Sequence, residues 1–177
     1  MKLIFVLFFV AYVSWGYAGL FVFKTLKGKD KAIKYTVSLL IATFAAFSLY
    51  EISHTTANAA VSLITIALVS SALAIFWWAV KTNSVEQLEF AYTSTTEKQL
   101  IKTGPFAWVR HPFYLAYLMT WSGYTLYVQS KGSVMIMLTM FFLFIHAAII
   151  EERELLESQD YGEYQDKVGM FLPRIKI

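Results

Sequence analysis

The chain has 177 residues, 58% of them hydrophobic and 18% aromatic against 15% charged, with a formal net charge of +3. So little charge cannot cover the water-facing surface of a soluble domain of this length, so part of the solvent must be lipid. With no cysteine, disulfides, thiolate metal sites and cysteine nucleophiles are excluded, and His54, His111 and His146 are too scattered to suggest a metal site.

Five apolar runs follow in chain order: roughly Leu3 to Phe23, Tyr35 to Tyr50, Ala59 to Val80, Phe113 to Val128 and Val134 to Ile150. At about 1.5 Å rise per residue, the first and third cross a hydrocarbon core of roughly 30 Å. The second and fourth are short and need aromatic or snorkelling ends, or local thinning. Tyr50, Trp77, Trp78 and Tyr127 lie at the expected ends, as interfacial aromatics should. Lys2, the first apolar run and Ala18-Gly19 also resemble a signal peptide, but the run is long for that role and five lysines follow it, which favours a retained helix.

Basic residues set the orientation. Lys24, Lys27, Lys29, Lys31 and Lys34 follow the first run; Lys81, Lys98, Lys102 and Arg110 follow the third; Arg153, Lys167, Arg174 and Lys176 follow the fifth. Only Lys2 and Lys131 fall on the other side. The positive-inside rule puts the N-terminus outside and the C-terminus in the cytoplasm, which an odd number of spans requires. The expected fold is therefore an all-α integral membrane bundle of about five transmembrane helices. It forms a single domain over residues 1–177, without internal repeats.

Two segments are not lipid-like, 81–112 and 151–177, and both face the cytoplasm in this arrangement. The first carries Thr93-Ser94-Thr95-Thr96 and then Leu100-Ile101-Lys102-Thr103-Gly104-Pro105, a short extended stretch and a turn. The second continues helically from the fifth span, with Tyr161, Tyr164 and Val168 on one face, until Phe171-Leu172-Pro173 ends it.

Two constellations could carry chemistry. In Gly104-Pro105-Phe106-Ala107-Trp108-Val109-Arg110-His111-Pro112-Phe113-Tyr114, Pro112 suits the first turn of span four, His111 falls near the cap and Arg110 just outside. Free N–H groups at that helix start, with Arg110 and His111, suit a carboxylate or phosphate. A positive-inside anchor with a helix-start proline explains the same residues. Glu151-Glu152 close the fifth run: either both are solvated, or one turns inward to bind a cation. His146, in the last turn of that run, reads as a satisfied interior histidine. Both constellations belong to the cytoplasmic ends of consecutive antiparallel spans, so Arg110, His111, Tyr114 and one glutamate could surround one pocket. That pocket, between the loop before span four and the C-terminal helix, would have an anion-binding and a cation-binding corner.

The Gly104–Tyr114 run, Glu151-Glu152, Tyr161-Gly162-Glu163-Tyr164 and Pro173, in this order, resemble the isoprenylcysteine carboxyl methyltransferase and phospholipid methyltransferase superfamily, over the motif-bearing part 98–177. The resemblance implies a membrane enzyme using S-adenosylmethionine, with Leu100, Ile101, Phe106, His111, Pro112, Tyr114 and Glu152 binding the cofactor. The expected catalytic set is Arg110, Glu151 and Glu152, Glu151 remaining an alternative to Glu152 for the cofactor, and no metal is expected. Three departures stand out. Ala116 replaces a glycine, Phe106 replaces a tyrosine, and His146-Ala147-Ala148 occupy the stretch where the carboxyl-methylating branch carries an arginine. The expected acceptor is a lipid-like or small apolar molecule entering from the bilayer. No nucleic-acid partner is expected, and the oligomeric state is unreadable. Two rival readings remain. One is a membrane NAD(P)H-dependent reductase of the sterol-reductase type, although Phe113 stands where that motif carries Asn. The other is a non-enzymatic membrane scaffold.

Overall fold

The computed structural model describes residues 2–18, 31–92, 100–156 and 159–174. Lys24, Lys27, Lys29, Lys98, Lys176 and the Thr93–Thr96 stretch lie outside the described residues. Six α-helices account for most of the rest: α1 (Lys2–Tyr17), α2 (Lys31–His54), α3 (Ala59–Tyr92), α4 (Pro112–Val128), α5 (Lys131–Leu155) and α6 (Gln159–Lys167). The all-α expectation holds: among the described residues there is no strand, only an isolated parallel bridge between Val109 and Gly169.

Two stretches, Ala59–Asn83 of α3 and Lys131–Arg153 of α5, are helical, long and apolar enough to cross a membrane, and Lys2–Tyr17 is a shorter apolar helix. Exposure on α5 falls on Val134, Met135, Leu138, Phe142, Ile149 and Ile150, side chains that water would leave uncovered only at a cost. His146 is also exposed, against the expectation of an interior histidine. The helix α3 runs well past Val80, to Tyr92. Hydropathy falls at Lys81-Thr82-Asn83, but no glycine or proline occurs before Gly104 to break the helix.

The chain divides into two compact units, residues 1–70 with 120–138, and residues 71–119 with 139–177. In the first, Phe8, Ala11, Ile52, Val69, Trp121 and Tyr124 are fully buried. Polar groups there are mostly paired, as an apolar surround demands. The Tyr12 and Ser48 hydroxyls share a hydrogen bond of 2.7 Å. Tyr124 donates to the Glu51 carboxylate, and Ser130 Oγ donates to its other oxygen at 3.3 Å. Gly123 lies where a Cβ would sit 2.9 Å from Val69, so a small residue there lets α4 approach α3 closely. The turn after α4 uses Gln129 at φ 55°, and Ser130 and Ser133 cap each other's amides at 3.2 and 2.9 Å.

The second unit holds every candidate site residue. Tyr161, Tyr164 and Val168 form its buried cluster, with Leu100 and Leu155 packed against it. The apolar spacing read along 161–168 is thus the buried face of α6. The helix ends at Lys167, before Phe171-Leu172-Pro173, because the chain turns at Gly169 to run beside Val109.

Candidate functional site

Gly104–Ala107 forms one 3₁₀ turn, in which the Phe106 amide donates to the Thr103 carbonyl and the Trp108 and Val109 amides both donate to the Pro105 carbonyl, each at 3.1 Å. Gly104 opens this turn at φ +57°, and a Cβ on it would press into the Thr82 side chain. Gly104→Ala should therefore lower stability by at least about 1–2 kcal/mol, the ordinary cost of the left-handed region for a residue with a Cβ. Thermal unfolding of the detergent-solubilised protein measures it, and an unchanged midpoint would contradict the crowding.

After this turn, Pro112 is fully buried at the first position of α4, and the His111 carbonyl accepts the Leu115 amide at 3.0 Å. His111 is therefore the cap and Pro112 the helix-start residue, as expected. The Arg110 and His111 amides, however, are not free for an anion. They donate to the Gly169 and Met170 carbonyls at 2.9 and 3.1 Å. The tail thus takes up the two amides just ahead of the helix.

Arg110, His111 and Glu152 meet. Arg110 grips Glu152 bidentately, Nε to Oε1 at 2.8 Å and Nη2 to Oε2 at 3.2 Å. His111 Nε2 lies 2.9 Å from the same Oε1, and Gln165 Nε2 donates to Oε2 at 3.1 Å. The side chains of Arg110, His111 and Glu152 are only 6–7% exposed. A buried carboxylate is tolerable here because charge-assisted hydrogen bonds occupy its lone pairs. Arg110 Nη1 donates to the Val168 carbonyl and, at 3.2 Å, to that of Gln165. Arg110 therefore ties the end of α5 and the tail after α6 to the turn before α4.

Glu151 differs. Its side chain is 53% exposed and its Oε2 lies 3.5 Å from His111 Nδ1. Between the two acids, His111 stacks on Tyr114, centroids 5.4 Å apart and planes 17° from parallel, and Tyr114 stacks on Phe144 at 5.6 Å. Phe171 lies 6.1 Å from the imidazole. Phe106 is half-buried, its ring meets Phe113 edge-on at 6.2 Å, and its carbonyl accepts the Tyr164 hydroxyl at 2.5 Å. Burial pushes the Tyr164 phenol up to about 12, the nearby Glu152 adding to this and Arg110 opposing it, so it stays a donor at neutral pH. Tyr161, buried beside Glu152 and Arg110, has its phenol pushed up mainly by burial. Ile101 is half-buried, whereas Leu100 packs on the α6 cluster.

The structure thus brings together Arg110, His111, Tyr114, Glu151 and Glu152, and places Ile101, Phe106 and Pro112 on the same turn and its approach. It adds Gln165 and the carbonyls of Val168, Gly169 and Met170, which the sequence reading missed. The single signal for them was the isolated Gly169, where a Cβ would fall onto the Leu172 carbonyl oxygen. Gly162, inside the Tyr161–Tyr164 element, meets no such crowding.

Comparison with known proteins gives this geometry a context. A family model described as "Protein of unknown function (DUF1295)" matches residues 20–168. Protein-S-isoprenylcysteine O-methyltransferase of Saccharomyces cerevisiae (strain ATCC 204508 / S288c) is 34% identical over 93 residues, 49% of this chain and 39% of that protein. The match thus spans about two fifths of that relative's own length. No solved structure matches. The likeness to the isoprenylcysteine methyltransferase superfamily is carried by that relative over the matched stretch, and the chain belongs to the DUF1295 family.

Proposed function

We propose that the protein is an integral membrane methyltransferase using S-adenosylmethionine, acting on a lipid-like or small apolar acceptor that reaches the site from the bilayer. We further propose about five spans, with the N-terminus outside and the site at the cytoplasmic face. The observation that carries this reading is the Arg110–His111–Glu152 network beside the half-exposed Glu151, next to the stacked rings of His111, Tyr114 and Phe144. A sulfonium nucleoside with an amino-acid end needs, among other contacts, a carboxylate for its ammonium and aromatic surface for its base, and Glu151 and the rings of Tyr114 and Phe144 fit these two needs. When bound, the cofactor supplies an electrophilic methyl group.

Glu151 is the assigned acceptor for the ammonium, because its carboxylate keeps an open side while that of Glu152 is filled by protein donors. Arg110 and Glu152 then act together to hold the turn. His111, anchored through Nε2, presents Nδ1 and its ring face beside Glu151. Ile101 and Phe106 line the approach, and Tyr114 offers a flat wall. The residues' main task is alignment, which can lower a barrier by on the order of 7–11 kcal/mol. A carboxylate acceptor needs no base, whereas an amine or thiol does.

Titration calorimetry with S-adenosylhomocysteine on the detergent-solubilised chain tests the reading. The unaltered protein should bind it, and Glu151→Gln should bind about ten- to a hundredfold more weakly, the worth of one charged hydrogen bond. Heat on adding NADPH, with none on adding S-adenosylhomocysteine, would overturn the proposal.

A further inference from the structure

We propose that Gln165 is a positioning residue of this site, fixing the Glu152 carboxylate and, through it, the His111 ring; the inference rests on the methyltransferase reading above. Gln165 holds both members of the buried pair. Its side-chain Nε2 donates to Glu152 Oε2 at 3.1 Å, while its backbone carbonyl accepts from Arg110 Nη1 at 3.2 Å.

A carboxylate offers about four acceptor positions. On Glu152, Oε1 takes Arg110 Nε and His111 Nε2, and Oε2 takes Arg110 Nη2 and Gln165 Nε2. Without the amide, Oε2 keeps the longer guanidinium contact, 3.2 Å, and the carboxylate is held less firmly against rotation about its last carbon–carbon bond. Rotation moves Oε1 away from His111 Nε2 and loosens the ring that stacks on Tyr114 and faces Glu151 through Nδ1. A neutral amide is suited to the task. It completes the set without the charge that would draw Glu152 away from Arg110.

Gln165→Leu removes the amide and keeps the backbone carbonyl. Calorimetry with S-adenosylhomocysteine should show affinity about tenfold lower, and loss of one hydrogen bond to a charged group should lower the thermal midpoint by a few degrees. A residue that only supported the fold would lower the midpoint and leave the affinity of the folded protein unchanged. Gln165→His, whose Nε2 reaches nearly as far, should recover much of the affinity; Gln165→Asn, one methylene short, should not. These two decide the matter should the leucine variant fail to fold. Equal affinity in the unaltered, leucine and asparagine proteins, or tighter binding in the leucine variant, overturns the inference alone. Absence of binding by the unaltered protein ends the methyltransferase reading and this inference with it.

Discussion

Arg110→Ala should lose on the order of 3–5 kcal/mol of stability and all measurable binding of S-adenosylhomocysteine. The guanidinium makes two contacts to Glu152 and two to main-chain carbonyls, from a side chain 7% exposed. Removing it strands Glu152 in a buried site with only His111 and Gln165, and an uncompensated buried charge carries the larger part of that cost. Lysine should not rescue it. An ammonium is a point donor and cannot span both carboxylate oxygens and the tail carbonyls at once. Arg110→Met combined with Glu152→Leu separates fold from function. Replacing a whole buried pair by apolar side chains is often neutral, so thermal unfolding should recover while ligand binding does not. A midpoint unchanged in Arg110→Ala would mean that the pair contributes nothing to the fold.

Gly169→Ala should come next in severity. Its added methyl would fall on the Leu172 carbonyl oxygen, a backbone atom that cannot swing aside like a side chain. Relief requires the tail to move, and the tail supplies the carbonyls that accept the Arg110 and His111 amides and the Arg110 guanidinium. Each buried donor left unmatched costs about 1–3 kcal/mol, so a total near 3 kcal/mol is expected. Hydrogen exchange at the Arg110 and His111 amides is the direct measurement. Faster exchange at both is expected, and protection equal to the unaltered protein would show that the tail accommodates the methyl. Gly162→Ala, with open space around it, serves as the neutral control.

The helices were legible because hydrophobic runs need no partner to be recognised. The starts of α4 and α5 fall within one to three residues of the apolar boundaries, and Pro112 marked the first of them outright. The end of α3 was not legible, because its apolar run stops at Val80 while helix-compatible residues continue. At the site, charge and order in the chain were enough to bring Arg110 and His111 to one of the paired glutamates. They could not say which groups would fill the anion-binding corner. Those groups are carbonyls at 165, 168, 169 and 170, and every residue, proline included, carries one. Only the path of the backbone distinguishes them, and Gly169 alone betrays that path. The division of labour between the two glutamates was equally hidden, since adjacent helical residues differ in direction by about 100° and the sequence does not say which one faces inward.

Reading carbonyls rather than side chains has an evolutionary consequence for the tail. A guanidinium that recognises main-chain oxygens is indifferent to the letters around them. Positions such as Asp166 and Lys167, exposed on the outer side of α6, can drift without disturbing the grip, provided the curve of the chain is kept. The course of this stretch is kept by Gly169, the Gln165 amide and the buried side chains of Tyr161, Tyr164 and Val168, so the lock depends on the curve of the chain and not on its outward-facing letters.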